Sequence, residues 1–163
     1  MMRCRKVPNV PIASATTPFP VWLDRLIDRE LCLDPAVRPV RAVEGSGVVY
    51  DRKALPFETV AGPCGPAGRK VGRSELDAAL GRVVAAFFGE EIEEVMPVSA
   101  AASWPASDPA VPFLRNSLDP ERSGDAFLVL RDGTSLSWDA TRGANHGTHH
   151  ETDIHVPLVF WGG

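Results

Sequence analysis

Glycine and proline interrupt this chain so often that long regular elements do not fit into it. Its 163 residues hold 14 glycines and 15 prolines, about half as many again as the ~12% of an average chain. Frequent turns and long connections between short elements are therefore expected. The rest is not low-complexity. With 44% hydrophobic and 23% charged residues, there is enough apolar material to bury a core and too much for disorder along the whole length. The length suits one ordinary domain.

Hydrophobic spacing between the breaks predicts the element order. Pro8, Pro11, Pro18 and Pro20 punctuate a stretch without periodicity, so residues 1–20 read as an extended arm and 21–163 as a single domain. Trp22, Leu23, Leu26, Ile27 and Leu31 recur at helical spacing, with Asp24, Arg25, Asp28, Arg29 and Glu30 between them and Pro35 closing the segment. Residues 37–43 and 48–50 are β-prone runs around Glu44-Gly45-Ser46-Gly47, a hairpin pattern. Residues 61–73 form a breaker-rich loop that separates two halves. Ser74 is then the candidate N-cap of a helix whose face carries Leu76, Leu80, Val83, Val84 and Phe87, and which Gly89 stops.

Residues 92–98 read as a strand, 100–112 as a connection containing Trp104, and 112–118 as one helical turn. The apolar run 126–130 is a strand that turns at Asp132-Gly133 into 134–138, and 156–161 is a further buried-strand run. Helices and strands in this order predict a mixed α/β (α+β) fold.

Charge and cysteines narrow the partners. Seventeen basic against 21 acidic residues leave a net charge of -4, without the basic face that a nucleic-acid backbone requires. No stretch approaches the length of an uninterrupted apolar span, so no membrane crossing is expected. Cys4, Cys32 and Cys64 are odd in number and widely spaced, which predicts neither a disulfide framework nor a zinc knuckle. The first six residues are basic, but prolines interrupt the stretch after them and no continuous apolar segment completes an export signal.

Chemistry concentrates near the end. All four histidines, His146, His149, His150 and His155, fall in one short segment that also holds Glu151 and Asp153. Imidazole and carboxylate groups suit zinc and related ions, and the flanking Gly147 frees the backbone to present them. No H-E-x-x-H helix or other ligand quartet is formed, so the residues alone fit either a metal-binding loop or solvated histidines.

The run His146-Gly147-Thr148-His149-His150-Glu151-Thr152-Asp153-Ile154-His155-Val156-Pro157-Leu158-Val159-Phe160-Trp161-Gly162 resembles the H-G-[ST]-x-x-x-x-D-x-H-V-P-[LI]-[LIV]-[FW]-[YFW]-G segment near the end of alkaline-phosphatase-superfamily enzymes. The type it looks like is that of the monomeric alkaline phosphatases and the related type I phosphodiesterases and nucleotide pyrophosphatases. Asn116-Ser117, Pro120-Glu121-Arg122-Ser123-Gly124-Asp125 and Phe127-Leu128-Val129-Leu130 are similar to that family's P-E-R-S-G-D segment and following strand. Gly47-Val48-Val49-Tyr50-Asp51-Arg52-Lys53-Ala54-Leu55 is similar to another family segment. The resemblance is closest over 114–162 and looser over 20–98.

This resemblance implies the C-terminal part of an α/β/α sandwich with an incomplete sheet, and a site that in the whole family holds two zinc ions. His146 matches a metal ligand. Asp153 and His155 match an element that anchors the loop through hydrogen bonds, His149 and His150 stand where the family has other residues, and Arg122 and Asp125 are expected in a local turn or ion pair. No histidine precedes His146, and Thr16 and Thr17 lie in the proline-rich arm without a nucleophile motif. The expectation is therefore the C-terminal fragment of a phosphoester hydrolase, inactive alone. Its partners would be a phosphoester substrate in the complete enzyme, and a complementing chain or a second copy at an open sheet edge. The family is commonly periplasmic or secreted. A different class remains open from the residues themselves: a non-catalytic metal-binding or interaction domain that uses the histidine-rich loop.

Overall fold

The computed structural model describes residues 19–107, 110–119, 122–132 and 134. Along the chain run α1 (Phe19–Leu31), β1 (Val40–Glu44), β2 (Gly47–Tyr50), β3 (Phe57–Glu58), β4 (Lys70–Val71), α2 (Arg73–Phe87), β5 (Ile92–Pro97), a 3-10 helix (Val98–Ser103), α3 (Ala110–Ser117) and β6 (Ala126–Leu130). The fold is mixed α+β. Its small sheet is antiparallel throughout, in the order β1-β2-β6-β5, with β3 and β4 forming a separate ribbon. The sheet is incomplete, since β1 and β5 each keep one unpaired edge among the described residues.

The alternation of β6 explains why helices lie on both faces. Ala126, Leu128 and Leu130 join a core with Leu23, Ile27, Leu76, Leu80 and Val83 of α1 and α2. Val129 and Phe127 point the other way, into a smaller cluster with Met96, Trp104, Val111 and Leu114. A strand apolar on both faces needs cover on both. Each fully buried leucine contributes ~2 kcal/mol, so neither layer is dispensable.

The β1–β2 hairpin forms as the spacing predicts, with Glu44 opposite Gly47. Gly45 takes the first turn position at φ 57°, a conformation glycine adopts without strain. An irregularity between Val40 and Ala42 lets both Val40 and Val43 face the core, as a β-bulge does.

Several boundaries and pairings differ from the sequence expectation. The helix α1 starts at Phe19, inside the stretch read as an arm, because Pro20 fits a helix's first turn, where its missing N–H costs nothing. Residues 1–18 lie outside the described ones. On α1 the apolar stripe is buried as expected, but so are Asp24 and Asp28. The helix ends not at Pro35 but at Cys32, whose φ is 52°, with Leu33 N–H donating back to Asp28 O at 2.9 Å in the manner of a Schellman cap.

Cys32 is also disulfide-bonded to Cys64, contrary to the absence of pairing expected from an odd count at wide spacing. The chain between them folds back, so that Leu33 bridges Thr59 and the β3–β4 ribbon lies beside the end of α1. Residues 61–73 therefore form a pinned connection rather than a divider. Cys4 lies outside the described residues.

The second helix begins one residue after Gly72, not at Ser74, because the Glu75 carboxylate reaches back to accept from Gly72 N–H at 3.3 Å. At its other end Phe87 is 41% exposed. Phe88 turns inward instead as the helix unwinds, meeting the ring of Phe19 edge-on at 5.2 Å. The connection after β5 contains the 3-10 helix, and α3 is a full helix rather than a single turn. The expected return strand 134–138 and the run 156–161 lie outside the described residues, apart from Thr134. Among the described residues no helix is long and apolar enough to cross a membrane.

Candidate functional site

The segment Ser123-Gly124-Asp125 delivers a carboxylate to the middle of the molecule. Gly124 has φ 83°, and a Cβ there would sit 2.9 Å from the Val48 carbonyl oxygen, so only glycine lets the chain pass this close to β2. Asp125 follows, its N–H donating to Val48 O at 2.7 Å. Its carboxylate, wholly buried, accepts from Tyr50 N–H at 2.8 Å and from Arg52 Nε at 2.9 Å, and pairs with Arg73 Nη2 at 2.9 Å. Its carbonyl accepts from Val98 N–H at 2.9 Å. One residue thus ties β2, the start of α2 and the end of β5 together.

Arg122 is not its partner. That side chain is exposed, and its backbone N–H donates to Asp119 Oδ1 at 3.1 Å, closing the turn. The local pair between Arg122 and Asp125 expected from their closeness in sequence is replaced by distant ones, since Arg52 and Arg73 are aimed at Asp125 from other elements.

Beside this hub lies a second polar chain. Tyr50 Oη donates to Asp77 Oδ1 at 3.0 Å, and Ser99 Oγ donates to Asp77 Oδ2 at 3.3 Å. Burial holds the Asp77 carboxyl above its ordinary pKa, opposed by the bonds from Tyr50 and Ser99 and the charge of Arg73. Burial also raises the Tyr50 phenol, and the Asp77 charge raises it further.

Ser99 opens onto a cavity of about 320 Å³ lined by Arg73, Val98, Ala101, Arg115 and Leu118 among others. Arg115, on α3, donates through Nε to Ala101 O at 2.8 Å, and through Nη2 to Ala102 O at 3.3 Å and to Trp104 O. These carbonyls end the 3-10 helix and are left without intrahelical donors. The Arg73 Nε is buried without a hydrogen-bond partner. Neither arginine stands out in the sequence. The only local signal is position: Arg73 opens α2, and Arg115 lies next to Leu114, which is in the smaller core cluster.

His146, Asp153 and His155, the residues matched to a metal ligand and its anchors, lie outside the described residues, as do His149 and His150. Among the described residues no group of three His, Cys, Asp or Glu side chains converges to hold a metal. Asp125, the acidic residue of the P-E-R-S-G-D segment, has both oxygens taken by Tyr50, Arg52 and Arg73. It has no free oxygen to offer an ion, so the described residues do not by themselves fit a zinc site. Comparison with models of known protein families, with curated proteins and with solved structures finds no match to this chain.

Proposed function

We propose that this chain carries the C-terminal metal-ligand segment of a zinc-dependent, alkaline-phosphatase-like phosphoester hydrolase. His146 serves as one ligand, Asp153 and His155 fasten the loop around it, and the chain has no nucleophile of its own. The observation that carries this reading is the ordered run from His146 to Gly162, in which the H-G-T, D-I-H-V-P and closing apolar-glycine elements occur in family order and spacing. The role of Asp125 is compatible with it: the carboxylate of the neighbouring family-like segment builds the scaffold rather than the metal site.

In such an enzyme zinc supplies charge stabilisation at the transferred phosphoryl group. A single imidazole with one nearby carboxylate falls short of the three protein ligands of a catalytic zinc. This chain therefore contributes to hydrolysis only together with groups from elsewhere. The unpaired edges of β1 and β5 offer backbone donors and acceptors to a complementing chain.

Zinc calorimetry and p-nitrophenyl phosphate assays on the 163-residue protein test the reading. Weak zinc binding that disappears in His146→Ala, with no hydrolysis by the chain alone, is the expected result. Hydrolysis by the isolated chain would overturn its incompleteness. One tightly held zinc, lost equally in His146→Ala and His150→Ala, would overturn the hydrolase reading in favour of a non-catalytic histidine-loop domain.

A further inference from the structure

We infer that the cavity between the start of α2, the 3-10 helix and α3 binds a small organic phosphate monoester. Arg73 and Arg115 would hold the phosphate, and Val98 and Leu118 would line the space for the organic group. Three observations lead there, none of them involving the histidine run.

The first is charge. Arg115 is fixed by three carbonyl oxygens, and among the described residues it has no carboxylate partner. Carbonyl oxygens orient a guanidinium without neutralising it. Its Nη1 takes no part in those bonds. On the opposite wall Arg73 shares the single carboxylate of Asp125 with Arg52. Three guanidinium groups thus stand near Asp125 and Asp77, and Asp77 is already engaged by Tyr50 and Ser99.

The second is an unmet donor. A buried N–H without a partner costs about 1–3 kcal/mol, and Arg73 Nε is such a group on a residue that lines the cavity. An oxyanion accepts from guanidinium N–H groups in short, charge-assisted bonds. Ser99 gives its proton to Asp77, so the donors left for the ligand are those of the arginines.

The third is size and lining. About 320 Å³ is near the lower end of the ~300–1,000 Å³ of ligand pockets, more than a bare phosphate needs. Val98, Ala101, Ala102 and Leu118 supply apolar surface around the two arginines. That combination selects a phosphate attached to a small apolar group.

Calorimetric titration with phenyl phosphate in EDTA tests this without any metal. Saturable binding is expected, with inorganic phosphate several-fold weaker. Arg115→Gln should weaken phenyl phosphate tenfold or more, while Arg82→Gln, which removes the same charge from an exposed pair with Glu30, should stay within twofold. No saturable binding, or equal weakening in the two variants, overturns the site; equal affinity for inorganic phosphate overturns the part assigned to the organic group. Because Arg115 also fastens the 3-10 helix, amide shifts of the unaltered protein give a second reading. Phenyl phosphate must move Ser99, Ala101 and Ala102, and saturation without such shifts overturns the assignment. His146→Ala should bind phenyl phosphate as the parent does under these conditions, which separates this result from the fate of the hydrolase reading.

Discussion

Asp125 and Asp28 are both buried carboxylates, at 0% and 8% exposure, and their surroundings are opposite. Asp125 receives a backbone N–H and two guanidinium groups, from residues 75, 73 and 52 positions away. Asp28 has an oxygen without any partner, and the charge that acts on it most strongly is the like-signed Asp24, one helical turn earlier. Arg38, the cation of that region, bonds to Asp24 instead. Burial, followed by repulsion from Asp24, pushes the Asp28 carboxyl up to about 7. Burial alone therefore does not decide what a carboxylate does here. One fastens three elements, and the other is a proton-dependent weak point on α1.

The largest effect that would break this contrast is at Asp125. In Asp125→Ala, Tyr50 N–H loses its acceptor, and Arg52 and Arg73 lose their common counter-charge. Removing one partner of a buried ionic network costs about 3–5 kcal/mol, which should appear as a large drop in the urea midpoint. A loss below about 1 kcal/mol would mean that the pairs contribute only as exposed ones do.

At Asp28 the expected effect is smaller and depends on pH. Its folded-state pKa of about 7 lies above the ordinary value of 3.8, so the folded protein binds more protons than the unfolded one between those limits. Stability from this group is therefore highest below about pH 4, falls as the pH rises towards 7, and is level beyond. About 2 kcal/mol is expected over that window, allowing for some solvent access. Urea unfolding of the parent and Asp28→Asn at several pH values isolates this contribution, because the variant should lack its part of the slope. Parallel curves for the two proteins would show that Asp28 is ionised in the fold and has found a partner.

Legibility in the sequence divides along the same line, between local and distant causes. The hairpin around Gly45, the stripe Leu23, Leu26, Ile27 and Leu31, and the apolar run of β6 depend on neighbours in the chain, and periodicity exposes them. Asp24 looks like part of a solvated face, because nothing nearby shows that Val40 N–H, sixteen residues on, comes to meet it. The same holds for Cys32 and Cys64, which pair only after the chain between them folds back onto α1. The cavity arginines belong to this distant class too. Arg115 looks like an ordinary surface charge until the 3-10 helix, which reads as a featureless connection, turns its carbonyls toward it. The histidine run is legible for the opposite reason: its pattern is contiguous, so it can be read without any fold.

The finest test of the contrast lies at Asp77, which combines features of both carboxylates: it is buried, as both are, and partnered, as Asp125 is, yet its pKa is raised as that of Asp28 is. Tyr50→Phe removes the hydroxyl that donates to Asp77 Oδ1 and leaves the ring in place. The lost bond costs about 1 kcal/mol. That bond also holds the Asp77 pKa down against burial, so without it the carboxyl moves further above its unfolded value. A carboxyl raised in the fold loses stability as the pH climbs through its titration. The cost of Tyr50→Phe should therefore be greater at pH 8 than at pH 5, as read from paired urea titrations. If the cost is equal at both, the Tyr50 bond contributes as a neutral hydrogen bond, and Asp77 is held by Ser99 and Arg73 alone.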